Sequence, residues 1–413
     1  MVKETHVTLS LPKGMKQTEI GLIPEDWQIV TIKDITNHLT NGFVGVAKTH
    51  YTEKSNGIIY LQGFNVEENH FNFTGIKKIT PEFHLSHLRS SLKHKDLLTV
   101  QTGDVGLTTF VPTELEGSNC HALIISRYNK REVESKFVSF YLNSKQGRNR
   151  LKDIETGTTM KHINVGEFQH FQISLPPLAE QEAIAAALSD CDAWIESLEA
   201  VIAKKRLIKQ GAMQELLTPK VDWEVKKLGE VADIIGGGTP STFVSKYWNG
   251  NIEWFTPTEV GYSKYLYSSR RKISYLGFKN ASANLLPKNS ILLTSRAGIG
   301  DLGILKIEAC TNQGFQSIVC KENIDFEFIY YLMSTKKDVL LKNASGSTFL
   351  EISPNKVKSL EIQIPSLSEQ TRIATVLSDM DAELEALGQK LNKARQIKQG
   401  MMQELLTGRV RLV

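Results

Sequence analysis

The chain has 413 residues, 41% of them hydrophobic and 23% charged, which gives room for two to three domains of ~150 residues with ordinary buried cores. Four scattered cysteines without CxxC spacing exclude a zinc ribbon and a secreted disulfide scaffold. No apolar run approaches the ~20 residues of a membrane span, and a net charge of +4 is compatible with nucleic acid without arguing for it.

In chain order, residues 1–20 read as a loosely ordered N-terminal extension, whose charge and proline do not suit a signal peptide. The expected location is the cytoplasm. Residues 21–175 read as a first globular block of mixed α/β character. It opens on Pro24-Glu25-Asp26-Trp27, with strands at Asp96–Val100 and Leu107–Phe110 around a turn and a short helix at Lys136–Asn143. Residues 176–218 read as one long helix. Residues 219–364 form a second block that opens on a similar Val221-Asp222-Trp223. Its strands are expected at Ser290–Ser295 and Ile304–Ile307, and its helix at Phe326–Met333. Residues 365–413 carry a second long helix.

The two helical stretches are copies of each other. At an offset of 189, Pro176-Pro177-Leu178-Ala179-Glu180-Gln181 falls on Pro365-Ser366-Leu367-Ser368-Glu369-Gln370, and Met213–Thr218 falls on Met402–Thr407. Between 176 and 218 there are 25 identities in 43 positions, so the chain is a duplication. Apolar residues three and four apart mark a coiled-coil seam: Leu188, Ile195, Leu198 and Ile202 in the first copy, and Leu377, Met380, Leu384, Leu387 and Leu391 in the second. One such stripe alone is most simply core. Two in one chain have each other as partners, so an antiparallel pair of rods of roughly 60 Å separating two globular blocks is expected. The fold class is therefore α/β (α+β) with a pseudo-two-fold internal repeat.

Catalytic motifs are missing. There is no GxxxxGK[ST], no HExxH, no nucleophile elbow and no amide-Pro-Pro-aromatic segment. Gly298-Ile299-Gly300-Asp301-Leu302-Gly303 matches GxGxxG but runs straight into a strand-like Ile304–Ile307. It reads as a hairpin turn, since a dinucleotide site needs a helix there. His84 and His87 lack further ligands at metal spacing, and all ten histidines lie at or before His170. No metal and no catalytic residue are assigned.

What the blocks do offer is the side-chain chemistry that reads base edges: amides, short hydroxyls, isolated arginines and aromatics on turns. In the second block the candidates are Thr239, Ser241, Tyr247, Trp248, Asn249, Ser295, Arg296, Asn312, Gln313, Gln316, Ser347 and Thr348, with Arg270, Arg271 and Lys272 as a basic run suited to phosphates. In the first they are Thr40, Asn41, Lys48, Gln62, Gln101, Thr102, Asn119, His121, Thr158, Thr159 and Lys161. Positive charge is in excess in residues 219–364, with 18 Lys+Arg against 14 Asp+Glu, whereas 176–218 carry 4 against 7. Any DNA-bound assembly would therefore draw much of its phosphate neutralisation from elsewhere.

The duplicated Pro-x-Leu-x-Glu-Gln…Gln-Glu-Leu-Leu-Thr helices, Gly238-Thr239-Pro240-Ser241, Tyr247-Trp248-Asn249-Gly250, Thr294-Ser295-Arg296, Thr311–Phe315 and the paired Gly157-Thr158-Thr159 and Gly346-Ser347-Thr348 resemble the specificity (S) subunits of type I restriction–modification enzymes over essentially the whole chain. The resemblance implies a non-catalytic subunit with two target-recognition domains, each reading half of a split sequence in double-stranded DNA through the major groove. The repeated helices would set the gap and dock two methyltransferase (M) subunits, with exposed Glu196, Lys209, Glu385 and Lys398 as candidate contacts. Motor and nuclease (R) subunits would complete the complex. It implies no cofactor on this chain, with S-adenosylmethionine, ATP and Mg on the partners. The first block departs from the pattern, offering Thr40-Asn41-Gly42-Phe43 for the Gly-Thr-Pro-Ser turn and Gln101-Thr102-Gly103 for Ser295-Arg296-Ala297. Alternatives are a coiled-coil scaffold joining two protein-binding modules, and a methylase or nuclease with degenerate motifs.

Overall fold

A computed structural model describes residues 12–129, 131–159, 161–296, 298–346 and 350–412. The chain forms two compact units, one of residues up to Glu199 together with those from Gln389 on, the other Ala200–Gly388. Each unit combines one globular block with part of both long helices, Leu178–Leu216 and Leu367–Leu405.

In the first unit, Met15–Thr18 pairs antiparallel with Gly21–Pro24. Of the extension expected to be loosely ordered, residues 1–11 lie outside the described residues, and Met15–Thr18 forms the first arm of this hairpin, with Gly21 at φ 116 closing its turn. Gln28–Thr31 pairs with Gln172–Leu175, and the one-turn helix Ile32–Ile35 is held by a reciprocal cap between Thr31 and Asp34. A four-stranded antiparallel sheet follows in the order Thr36–Asn41, Leu123–Tyr128, Leu97–Val100, Thr108–Phe110. A three-stranded sheet runs Lys77–Ile79, Ile58–Leu61, Asn119–Cys120, the last two parallel. The helices Ser135–Asn143 and Lys145–Asp153 and the fully buried Trp27, Phe137, Tyr141 and Phe168 belong to the main core.

The second unit repeats this plan with different residues. Glu224–Lys227 pairs with Glu361–Ile364. The larger sheet runs Ala232–Gly236, Gln316–Cys320, Ile291–Leu293, Leu302–Leu305, Tyr265–Leu266, and the smaller Arg271–Ile273, Trp248–Phe255, Ala309–Thr311. Phe326–Ser334 stands where the first unit has Ser135–Asn143. The Gly298–Gly303 segment closes the turn between two antiparallel strands and runs into the second, Leu302–Leu305, with Ile291 opposite Ile304. Gly298 and Gly300 sit at φ 106 and 91, a region that glycine enters at no steric cost.

The 189-residue repeat explains how the helices join these cores. In the first unit, Ile184, Ala185 and Leu188 share a core with Met402, Leu405 and Leu406. In the second, the equivalent Ile373, Ala374 and Leu377 share a core with Leu217, and Met213 and Leu216 pack against it. Within each unit the helix segments run antiparallel. Lys398 bonds Asp192 at 2.7 Å and Arg395 bonds Glu199 in the first. Lys205 bonds Glu383 at 2.7 Å and Lys209 bonds Asp381 in the second. Asp192–Lys398 and Asp381–Lys209 are the same pair in the two copies. Of the seam residues, Leu188, Leu198, Ile202 and Leu377 are buried, and Ile195, Met380, Leu384, Leu387 and Leu391 are half-buried. Lys205 stands where the other copy has the fully buried Ala394, and it keeps its ammonium at the rim on Glu383. Lys209 and Lys398, expected as free contacts, are taken up by these intramolecular pairs, whereas Glu196 and Glu385 are exposed.

The helix starts are fixed by the glutamine of each Pro-x-Leu-x-Glu-Gln run. Gln181 accepts the Glu134 N–H and donates to the Glu132 and Pro176 carbonyls. Gln370 accepts the Asp325 N–H and donates to the Pro365 carbonyl. Both are buried, and each satisfies backbone groups that the turn before a globular helix would otherwise leave unpaired.

Candidate nucleic-acid interface

In the second unit, the candidate loops are joined by direct contacts. Tyr247 ends a short 3-10 turn, and Trp248 begins a strand interrupted by an irregularity: both Trp248 and Ile252 face Ile273. Asn249 there takes φ 58, which an Asn tolerates better than other side chains. A Cβ on Gly250 would lie 2.3 Å from the Ser274 Cα. Such a bulge re-aims the neighbouring side chain, and Trp248 turns across to Trp254, ring centroids 5.1 Å apart and edge to face. Arg271 lies over the Trp248 ring at 3.7 Å and near Trp254 at 5.4 Å. Trp248 Nε1 donates to the Ser241 carbonyl and Trp254 Nε1 to the Gly238 carbonyl. This ties the stack to the Gly236–Ser241 loop.

That loop is in turn joined to the next. The Thr239 hydroxyl donates to Gln313 Oε1, Asn312 Oδ1 accepts the Gly314 N–H to shape the turn, and the Ser295 N–H donates to the Gly314 carbonyl. Gly237 has no room for a Cβ, which would sit 2.1 Å from the Asn312 carbonyl oxygen. One continuous surface therefore collects Thr239, Ser241, Tyr247, Trp248, Asn249, Arg271, Asn312 and Gln313.

Other candidates are placed differently. The Ser295 side chain is 0% exposed and Gln316 5%. Both face into the domain, because the sheet register that brings Ser295 to Gly314 and Gln316 to Gly236 turns them inward. Neither the Ser295 hydroxyl nor Gln316 Oε1 has a partner among the described residues. Arg296 is exposed but bonds Glu351 at 2.8 Å. Lys272 bonds Glu253 at 2.6 Å. Burial works to raise the Glu253 carboxyl, but its bonds to Lys272 and Ser269 outweigh it and hold the pKa below the usual value. Arg270 donates its backbone N–H to Glu259 and its side chain is free among the described residues. Ser347 and Thr348 lie outside the described residues.

The first unit departs further from expectation. Asn119 is fully buried, donating to the His87 carbonyl and to His84 Nδ1. Gln101 is buried and donates to the Ile163 carbonyl. Thr40 is buried within an antiparallel pair. All three are turned inward, Thr40 and Asn119 within strands and Gln101 directly after one. Gln62 donates to the Tyr51 hydroxyl, and the Tyr60 hydroxyl is hydrogen-bonded to His121 Nδ1 at 3.1 Å. Burial holds the His121 pKa below its usual value. Thr102, Lys48, Thr158, Thr159 and Lys161 are exposed, with Lys161 3.9 Å from Glu155. The His87 ring packs on Phe43 and Phe83.

Sequence reasoning missed several exposed groups. Phe243 is 98% exposed and Tyr262 87%. Both stand among polar residues, a signal a search for amides passes over. In the first unit, a cavity of about 420 Å³ beside Asn41 is lined by Thr40–Val44, Ser86, His87 and Arg89. Arg89 is exposed and has no carboxylate partner among the described residues. No group of three or more His, Cys, Asp or Glu among the described residues could hold a metal, and none of their helices is long and apolar enough to cross a membrane.

The model of the type I restriction modification DNA specificity domain matches residues 24–205 and again 220–396. A putative type I restriction enzyme MjaX specificity subunit from Methanocaldococcus jannaschii is 27% identical and covers 97% of both chains. The MjaIX specificity subunit of the same organism is 44% identical, over 40% of this chain and 39% of its own length, so that alignment spans well under half of the relative. The EcoR124I/EcoR124II specificity subunit of Escherichia coli is 29% identical over 54% of this chain and 57% of its own. Among solved structures, the type I restriction-modification S subunit from M. genitalium superposes with a TM-score of 0.61 at 17% identity, covering 96% of this chain and 98% of that one. At that identity the likeness speaks for the fold. With two matched segments spanning most of its length, the chain belongs to the family of type I restriction–modification DNA specificity subunits.

Proposed function

We propose that each unit reads one half of a split DNA sequence from the major groove, and that the paired helices set the gap between the halves and dock two methyltransferase subunits. The observation that carries this reading is the duplication of one sheet plan in two units, each ending its strands in loops of different sequence. Common framework and divergent loops suit a pair of readers that share a geometry and differ in target. Thr239, Asn312, Gln313 and Arg271 are of the types that pair with base edges, and Arg270 is of the type that meets phosphate.

The remaining chemistry is assigned to partners. S-adenosylmethionine is proposed on the methyltransferase subunits, which would turn the target adenine out of the duplex. ATP and Mg are proposed on motor and nuclease subunits. Two sites read from one face of B-DNA lie about one helical turn, ~34 Å, apart. With half-sites of ~3–4 bp, the unread gap is roughly 5–8 bp.

The test is co-expression with the methyltransferase subunits, followed by single-molecule sequencing of host DNA for N6-methyladenine. The expected result is one motif of two defined halves with a fixed gap. An assembled, cofactor-supplied complex that leaves the DNA unmethylated would favour a scaffold instead.

A further inference from the structure

Two of the cations around the second unit's loop cluster are engaged, Arg296 with Glu351 and Lys272 with Glu253. Arg270 and Arg271 have no carboxylate partner among the described residues, and of these two it is Arg271 that lies over an aromatic ring. Its guanidinium carbon lies over the Trp248 ring, 3.7 Å from the centroid, a separation of stacking contact, and the side chain is exposed. The platform beneath it is rigid, because each indole N–H is spent on a loop carbonyl and the two rings brace each other edge to face. A stacked guanidinium keeps both N–H edges free in a fixed plane, so little rotamer entropy remains to be lost on bonding.

We infer that Arg271 reads a guanine of the second half-site, pairing its two N–H edges with O6 and N7. This rests on the DNA-reading function proposed above. Guanine alone offers two adjacent acceptors on its major-groove edge, which is the partner a planar, pre-oriented fork fits best. The neighbouring Thr239, Gln313 and Asn312 belong to the same contact network and add donors and acceptors of the base-reading kind. A phosphate would also accept a fork, but phosphate contact needs no stacked platform to fix the plane. Trp248 is then a positioning residue, and the bulge at Asn249–Gly250 is what aims it.

The experiment uses the complex of full-length chain and methyltransferase subunits. The wild-type methylation motif is determined first, then those of Arg271→Lys, which keeps the charge but loses the fork, and Trp248→Leu, which removes the platform. The expected motif has a G·C pair in the second half. Both variants should relax that one position, with discrimination falling about tenfold or more there and the first half unchanged. Binding of each purified complex to duplexes carrying each of the four pairs at that position gives the same readout if methylation is too weak to sequence. A uniform loss across all sites with the motif kept would make Arg271 a phosphate contact and overturn the inference. So would a second half lacking any G·C pair, or an unchanged motif in Arg271→Lys. Failure of the underlying reading shows earlier, as a wild-type complex with no split motif at all.

Discussion

Gln181 and Gln370 show how one repeated side chain can carry the joint between a helix and a domain. Each is buried and each accepts a backbone N–H from the residue that caps the domain's helix, Glu134 or Asp325. Replacing either by Ala strands a part-buried N–H and a buried proline carbonyl, which costs about 1–3 kcal/mol. Thermal unfolding should show a lower midpoint for each single variant. The double variant should lose roughly the sum, since the sites lie in different units. A change of under ~0.5 kcal/mol would mean that water replaces the amide. The adjacent glutamates are used differently despite their identical place in the repeat. Glu180 is buried, accepts Trp27 Nε1 and bonds Arg411. Glu369 stays nearer solvent, where Arg372 above all draws its carboxyl down to about 2. Exposed pairs of that kind add little stability.

At the scale of elements, the helices were the most legible part of the sequence. A stripe at three- and four-residue spacing can be buried on one face only, and the seam residues from Leu188 to Leu391 lie buried or half-buried in their helices. The strand pairs around residues 97–110 and 291–305 and the glycine hairpin between the latter were legible for the same reason, since turn chemistry and alternation are local. The candidate face was less so. Whether Ser295, Gln316, Gln101 or Asn119 points outward depends on cross-strand register, and Arg296 meets a Glu351 that lies 55 positions away. No local pattern records either. The stack of Arg271 on Trp248 depends on a bulge that local spacing does not announce. If the helices set the gap, as proposed, inserting one heptad into either of them keeps the seam in phase and adds roughly 10 Å of rise. The methylation motif should then change its gap and keep both halves. A changed half-site with the old gap would count against the helices as the spacer.

At the scale of the whole molecule, the duplicated plan hides an asymmetry in titration. All ten histidines lie at or before His170, so every one belongs to the first unit. Burial holds His121 below its usual pKa of 6.5, with the Tyr60 hydroxyl 3.1 Å away. The folded unit thus disfavours the imidazolium that the unfolded chain would accept. The contribution is fully present above pH 6.5 and is lost as pH falls through the lower folded value, because the unfolded state then binds the extra proton. The second unit has no histidine to do this. Hydrogen exchange followed by mass spectrometry at pH 7.5 and 5.5, corrected for intrinsic rates, should show protection falling around residues 58–61 and 119–128 while residues 291–305 hold. His121→Gln, which can still accept from the Tyr60 hydroxyl, should flatten that difference. Equal loss in both units, or an acid limb that survives the substitution, would trace the effect to carboxylates shared by both halves.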